Sequence, residues 1–291
     1  MQGIDLPQLE ALAAVVDEGS FDAAALRLHV TPSAISQRVK AFETAIGAVL
    51  LMRSKPVRVT EAGVPYLRLA QQIRTLVAET TTYGGDDGVV TVPVGVNGDS
   101  LNTWVLPALA QLSEAMDFDI RREDQGRSAE LLRQGVVMAA VTASPDAVQG
   151  CSVTRLGIMR YRPMCSPEFR SRWLADGPSG GALARAPMVV FDRSDDLQDR
   201  YLAQWGGPLG PGRRHYVPSS ADFAEAVRLG LGWAVLPRQQ SERWEAEGRL
   251  IDIAPTTGLD VTLYWQQWKV RTAALARLSD VIVAAARTTL D

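Results

Sequence analysis

Residues 19–43, Gly-Ser-Phe-Asp-Ala-Ala-Ala-Leu-Arg-Leu-His-Val-Thr-Pro-Ser-Ala-Ile-Ser-Gln-Arg-Val-Lys-Ala-Phe-Glu, constrain the fold more than any other stretch of the chain. They read as two short helices joined by a tight turn at His29-Val30-Thr31. Ser20 is placed to cap the first helix, and Ala23, Ala24 and Ala25 leave room for a closely packed neighbour. Thr31 is placed to cap the second helix, with Pro32 in its first turn, where a missing N–H costs nothing. Ile35, Val39, Phe42 and Ile46 then form one apolar stripe, with Ser33, Gln37, Lys40 and Thr44 opposite and Ser36 on the flank. This is helix-turn-helix spacing, which sets a second helix in the DNA major groove. The Ser33 and Ser36 hydroxyls and the Gln37 amide are the candidates for base contact and Arg38 and Lys40 for phosphate contact, with Thr31 a further candidate DNA-binding residue. An ordinary amphipathic hairpin with a solvated polar face shares this spacing, so the flanks carry weight.

The flanks favour DNA. Residues 5–18 supply a preceding amphipathic helix with Leu6, Leu9, Leu12, Ala13 and Val16 on one side. After Gly47, residues 49–59 read as an extended hairpin whose basic tip, Arg53, Lys55 and Arg58, suits a wing along the phosphate backbone. Residues 27–58 hold six Lys/Arg and a single acidic residue, Glu43, in a chain of formal net charge -3. Such local concentration of positive charge is the footprint of a DNA-binding surface. Thr60 then starts a long helix to about Tyr83. Ala62, Tyr66, Leu69, Ile73, Leu76 and Thr80 form a heptad-like seam along it. Tyr66, Leu69, Ile73 and Leu76 are the candidate dimer contacts; a helix packed on its own domain has the same pattern. Gly84-Gly85-Asp86-Asp87-Gly88 reads as a flexible linker.

The run Leu9…Leu12…Val15…Gly19-Ser20-Phe21…Ala24-Ala25…Leu28…Thr31-Pro32-Ser33-Ala34-Ile35-Ser36-Gln37-Arg38-Val39…Glu43…Gly47…Leu50…Arg53…Thr60…Gly63 resembles the winged helix-turn-helix of LysR-type transcriptional regulators. The resemblance implies a homo-oligomer, dimer or tetramer, that binds promoter double-stranded DNA, works with RNA polymerase and responds to a small metabolite. The expected organisation is α/β overall. A winged helix-turn-helix occupies residues 1–59 and a linker helix with its linker residues 60–88. A two-lobed α/β effector domain similar to periplasmic binding proteins follows over residues 89–291, with lobe I at 89–160 and 266–291 and lobe II at 161–265.

The chain's own pattern agrees with the second half. At 291 residues it is too long for one DNA-binding module. Short apolar strands alternate with helices from Val89 onward, which argues for an α/β sheet. Strands are expected at 89–97, 118–124, 137–143, 188–191, 215–218, 233–236, 250–253 and 261–268. Helices are expected at 100–115, 128–134 and 272–286. The resemblance implies that the chain crosses between lobes twice. No apolar run reaches membrane length, no signal peptide is expected, and two cysteines without metal-ligand spacing fit a reducing cytoplasm. The expected location is therefore the bacterial cytoplasm, on the nucleoid when DNA-bound, with no membrane partner. With His29 and His215 the only histidines, and no phosphate loop or nucleophile elbow, an enzyme is not expected, nor a metal or cofactor.

Three strand–helix junctions carry polar residues suited to a carboxylate: Asn97-Gly98-Asp99-Ser100-Leu101, Thr142-Ala143-Ser144 and Pro218-Ser219-Ser220-Ala221-Asp222-Phe223. Ser100 and Ser220 would equally serve as plain helix caps. Acidic residues, Asp99, Glu123, Asp124, Asp192, Asp195 and Asp196, suit a ligand bearing an extra cation. The candidate effector contacts are Asn97, Asp99, Ser100, Leu101, Asp124, Thr142, Ser219 and Phe223. Segments such as Asp99-Ser100-Leu101, Glu123-Asp124-Gln125 and Leu263-Tyr264-Trp265-Gln266 resemble the ArgP/LysG group of the family. That implies a small-molecule effector, L-lysine, L-arginine or L-histidine, and activation of a divergent amino-acid exporter gene. Gly126-Arg127-Ser128 departs from the group's pattern, and an Arg127 facing the ligand would oppose a cation. Two alternatives stay open: a regulator for a different metabolite, and an effector-independent repressor.

Overall fold

The computed structural model describes residues 4–83, 90–123, 128–206, 212–270 and 272–291. Asp124, Arg127 and the glycine linker expected at 84–88 lie outside the described residues. The chain divides into two compact units. The first takes Met1–Asn97, Leu109–Thr154 and Tyr264–Val281; the second takes Gly98–Ala108, Arg155–Leu263 and Ile282–Asp291.

The first unit opens with three helices whose ends are written in the sequence. α1 (Leu6–Glu18) has a proline in its first turn and ends at Gly19, φ +69°. α2 (Phe21–Arg27) is capped by Ser20, whose hydroxyl accepts from Ala23 N at 3.1 Å. His29, at φ +52°, forms the turn into α3 (Pro32–Ile46), which ends at Gly47, φ +76°. β1 (Leu51–Met52) and β2 (Arg58–Val59) pair antiparallel as a short wing. α4 (Val64–Tyr83) follows. Gly63 precedes it because a Cβ there would sit 2.3 Å from the Leu50 carbonyl oxygen. Leu9, Leu12, Val15, Ile35, Val39, Phe42, Leu50 and Leu67 form one buried core. Each large aliphatic or aromatic side chain so buried stabilises the fold by roughly 1.5–3 kcal/mol.

β3 (Val90–Asn97) is buried along nearly its whole length, as a strand covered on both faces must be. The chain continues through α5 (Gly98–Ser100), a wide π-type turn over Leu101–Val105 and α6 (Leu106–Ala110). The continuous helix expected over 100–115 is thus broken. The break lies beside Pro107, which has no N–H to donate to the preceding turn. Next come β4 (Met116–Glu123), α7 (Ser128–Arg133) and β5 (Ala139–Thr142). β3 pairs parallel with both β4 and β5.

β6 (Cys151–Cys165) carries the chain into the second unit. Then follow α8 (Pro167–Trp173), α9 (Gly180–Arg185), β7 (Met188–Val190), α10 (Leu197–Gln204), β8 (Arg214–Tyr216), α11 (Ser220–Arg228), β9 (Ala234–Pro237), α12 (Arg238–Ala246), β10 (Ile251–Asp252), β11 (Leu259–Trp268) and α13 (Ala273–Thr289). In the second unit β6 pairs antiparallel with β9 and β10, and β7 parallel with β8. The C-terminal part of β11 returns to the first unit, antiparallel to β5. Met164, Val189, Phe223, Val227 and Leu236 belong to the second unit's core.

The division into units changes five times along the chain. Residues 98–108 join the second unit, where the Tyr161 hydroxyl donates to Asp99. The C-terminus joins it as well, because Ile158 N donates to Asp291 O at 2.7 Å and Asp291 N to Ile158 O at 3.0 Å.

Candidate functional site

The outward face of α3 is polar and its inward face is sealed. Ile35, Val39 and Phe42 are at most 2% exposed, while Ser33, Gln37, Lys40 and Thr44 are exposed. Gln37, Lys40, Ala41, Thr44 and Ala45 line a shallow open concavity. The two alanines let the helix backbone approach a surface closely. Thr31 caps α3, accepting from Ala34 N at 3.2 Å, and lies 3.0 Å from the Ser33 hydroxyl. Thr44 donates its hydroxyl to Lys40 O, so its proton is committed to the helix. Ser36 and Arg38 are half-buried on the flank.

The wing is held against this helix. The Glu43 carboxylate accepts from Leu50 N at 2.8 Å and Leu51 N at 3.3 Å. Val57 N donates to Gly19 O at 2.8 Å, which ties the wing to the turn between α1 and α2. Arg53 lies over the Phe21 ring, 5.6 Å from its centroid. Arg53, Lys55 and Arg58 are all exposed. Arg27 differs. It is spent internally on Asp17 at 3.0 Å and Glu18 at 3.2 Å. On α4, Tyr66, Leu69 and Ile73 are half-buried and Leu76 is 45% exposed. Among its described side chains, Leu67, Ala70, Gln71 and Thr75 are buried, and Tyr66, Leu69 and Ile73 pack against the core of the DNA-binding helices.

The sensor residues fall into two groups. In the second unit, the Asp99 carboxylate accepts from the Tyr161 hydroxyl and the Ser220 hydroxyl, each at 2.7 Å. Gln240 donates to Ser220 at both its hydroxyl, 3.1 Å, and its carbonyl, 2.9 Å. Ser220 therefore supports Asp99 rather than capping α11, and Ser219 makes no capping bond either. Ser100 is fully buried, Leu101 and Ser219 are partly exposed, and Phe223 packs into the core. In the first unit, Asn97 is buried at the end of β3. Thr142 is buried too, and its hydroxyl lies 3.3 Å from both Ser144 O and Gln266 Nε2. Gln266 also donates to Asp146 O and accepts from Val148 N, so it shapes the loop after β5. Asp192 and Asp195 are used locally, accepting from the backbone N–H groups of Ser194 and Phe191.

This architecture has close counterparts. Residues 6–64 match the bacterial regulatory helix-turn-helix protein, lysR family, and residues 88–287 match the LysR substrate binding domain. The chain belongs to the LysR family. Among curated relatives, the HTH-type transcriptional regulator LysG of Mycobacterium tuberculosis is 44% identical over 286 residues, covering 97% of this chain and 94% of the relative. The crystal structure of ArgP from Mycobacterium tuberculosis superposes with a TM-score of 0.85 at 43% identity over 99% of each chain. Full-length LysG from Corynebacterium glutamicum with bound effector Arg gives 0.77 at 37% identity, again over 99% of each. The chain is therefore a LysR-type transcriptional regulator of the LysG/ArgP kind, not an enzyme. Among the described residues, no helix is long and apolar enough to cross a membrane.

Sequence reasoning passed over several residues that build this LysR-type framework. Glu43 was read as the one acid of a basic stretch and as part of the family motif, with no partner assigned, although its seven-residue separation from Leu50 suits a helix-to-wing tie. Tyr161 and Gln240 reach Asp99 and Ser220 across 62 and 20 residues. No local pattern marks such separations.

Proposed function

We propose that this LysR-type regulator senses a basic amino acid, L-lysine, L-arginine or L-histidine, and through it activates transcription of a divergently placed amino-acid exporter gene. On this reading residues 1–59 bind promoter DNA in the cytoplasm, 60–88 join the protomers of a dimer or tetramer, and 89–291 hold the effector. Ser33, Ser36 and Gln37 face bases, Arg38, Lys40, Arg53, Lys55 and Arg58 face phosphates, and Thr31, the α3 cap, completes the DNA-binding set. Tyr66, Leu69, Ile73 and Leu76 meet a second copy, and RNA polymerase is the further partner. Asn97, Asp99, Ser100, Leu101, Asp124, Thr142, Ser219 and Phe223 contact the effector.

The observation that carries the effector class is the Asp99 carboxylate, oriented by Tyr161 and Ser220 at the start of the segment after β3. A fixed carboxylate suits an ammonium or guanidinium. The effector Arg of the Corynebacterium glutamicum LysG structure supplies such a group. Calorimetric titration of the full chain against the twenty amino acids tests the reading. Binding by at least one of lysine, arginine and histidine is expected. Asp99→Ala should weaken it tenfold or more, since losing one partner of a buried charge pair costs about 2–5 kcal/mol. Its DNA affinity should stay within about twofold. Binding of none of the three, or full-strength binding by Asp99→Ala, would overturn the assignment.

A further inference from the structure

Arg68 of α4 has its guanidinium on three backbone carbonyls. It donates to Leu132 O at 2.9 Å, Arg133 O at 2.8 Å and Gln149 O at 3.2 Å. Leu132 and Arg133 are the last two residues of α7, and the Leu132 carbonyl also accepts from Gly135 N at 3.2 Å, so Arg68 joins the turn that ends this helix. A cation at this end also matches the helix dipole. The stem of Arg68 lies directly on Gly135, where a Cβ would stand 2.7 Å from Arg68 Cγ and 3.2 Å from its backbone N. Two turns further along α4, the Thr75 hydroxyl reaches Met138 Sδ at 3.2 Å. Met138 immediately precedes β5, and β5 ends at Thr142.

The same helix is bonded on another face to the DNA-binding domain. Gln71 Nε2 donates to Asp17 Oδ1 at 3.1 Å and Arg74 to Asp17 Oδ2 at 2.7 Å. Asp17, the next-to-last residue of α1, also takes Arg27 from the end of α2. Helix α4 thus carries polar ties to the α7–β5 segment at Arg68 and Thr75, and to α1 and α2 at Gln71 and Arg74. Every one of these contacts lies within the first unit.

We infer that Arg68 is a positioning residue for regulation: it is the tie through which a change at the α7–β5 segment reaches the linker helix and the DNA-binding domain. This rests on the effector-domain role of residues 88–287, not on which molecule is sensed. A bond that is the same in every state stabilises but transmits nothing, so coupling itself must be measured. Coupling is reciprocal. If the tie transmits, DNA bound at one end must alter the α7–β5 segment at the other.

The test uses the full-length protein and a DNA fragment that the wild type selects from a random-sequence pool. Hydrogen exchange of residues 128–138 is followed with and without that DNA. Arg68→Met keeps the stem on Gly135 and removes the donors; Arg68→Lys restores charge and donors. The wild type and Arg68→Lys should show a DNA-dependent change in exchange, and Arg68→Met should show none. The salt dependence of DNA binding should be the same in all three, because no phosphate contact is touched. In parallel, L-lysine, L-arginine and L-histidine are each added; at least one should shift wild-type DNA affinity by about five- to 150-fold, and that one should shift the affinity of Arg68→Met by less than about twofold. Arg68→Gln replaces Arg68→Met if the latter does not fold. A DNA-dependent change that survives loss of the donors, or is absent from the wild type, overturns the tie. Failure of the wild type to respond to arginine, lysine and histidine overturns only the effector assignment, and the exchange readout still judges Arg68.

Discussion

Replacing Glu43 by alanine should loosen the wing from the recognition helix by an amount that the geometry sets. The carboxylate is the acceptor for Leu50 N at 2.8 Å and for Leu51 N at 3.3 Å. Leu50 is fully buried and Leu51 is 3% exposed, so water cannot readily replace it. A hydrogen bond to a charged group contributes about 1.5–3 kcal/mol. The longer bond adds less, and the partial exposure of Glu43 reduces both. We therefore expect a loss of about 2 kcal/mol, which at 1.4 kcal/mol per decade raises local opening about 30-fold. The assay is amide exchange at residues 50 and 51 in the full-length protein at neutral pH, with circular dichroism to confirm that the helices persist. Glu43→Gln keeps an oxygen acceptor without the charge and should lose about half as much, giving roughly a fivefold increase. The DNA affinity of Glu43→Ala should fall as well, because Arg53, Lys55 and Arg58 lose their fixed offset from α3. Exchange within threefold of wild type in a folded Glu43→Ala protein would refute this account of how wing and helix are held together.

Gln37→Ala should relax preference at one base-pair position, worth about 1–3 kcal/mol of discrimination, whereas Lys40→Ala should lower the salt slope by about 0.9 at every sequence. Selection from random DNA and salt titration read these out, and identical effects of the two variants would contradict the division of roles. Burial raises the Asp252 carboxyl above its ordinary value of 3.8, against the opposing pull of Ala254 N–H and Arg162. The folded state therefore holds that proton more tightly than the unfolded state. Wild type should gain stability over Asp252→Asn as pH falls through the raised value toward 3.8, with no further gain below; denaturant melts showing the opposite trend would contradict this. Burial pushes the Cys165 thiol up to about 12 and raises Cys151 as well. Iodoacetamide at pH 8 should label neither in the native protein and both after denaturation, and rapid native labelling would contradict their burial.

The N-terminal helices were legible because their signals are local. Ser20, Thr31, Pro32 and Gly47 mark helix ends within a few residues, and the stripe through Ile35, Val39 and Phe42 faces the core. The second unit was read less fully. Strand β6 runs over 15 residues with its alternation broken at Gly157, and the sequence reading placed no strand there. Helices α8, α9, α10 and α12 are short, and their polar faces mask the apolar period. At the sensor, Asp99 was visible as an acid at a strand–helix junction. Its hydroxyl partners were not both visible: Ser220 was noted as a candidate cap, and Tyr161 lies mid-strand, where nothing distinguishes it from a core tyrosine. The role of Arg68 was hidden for the same reason. Its acceptors are backbone carbonyls 64, 65 and 81 residues away, and backbone carbonyls leave no trace in the sequence.

The central claim is that a basic amino acid changes how this LysR-type regulator holds DNA. Fluorescence anisotropy of the full-length protein on its selected DNA fragment tests it most directly. Titrations at one fixed salt concentration would compare no additive with L-lysine, L-arginine, L-histidine, L-glutamate and L-leucine. The account predicts that at least one of the three basic amino acids shifts the apparent Kd by about five- to 150-fold, the usual span of allosteric coupling, and that glutamate and leucine leave it unchanged. An apparent Kd indifferent to all three basic amino acids, in a protein that binds the fragment, would contradict it.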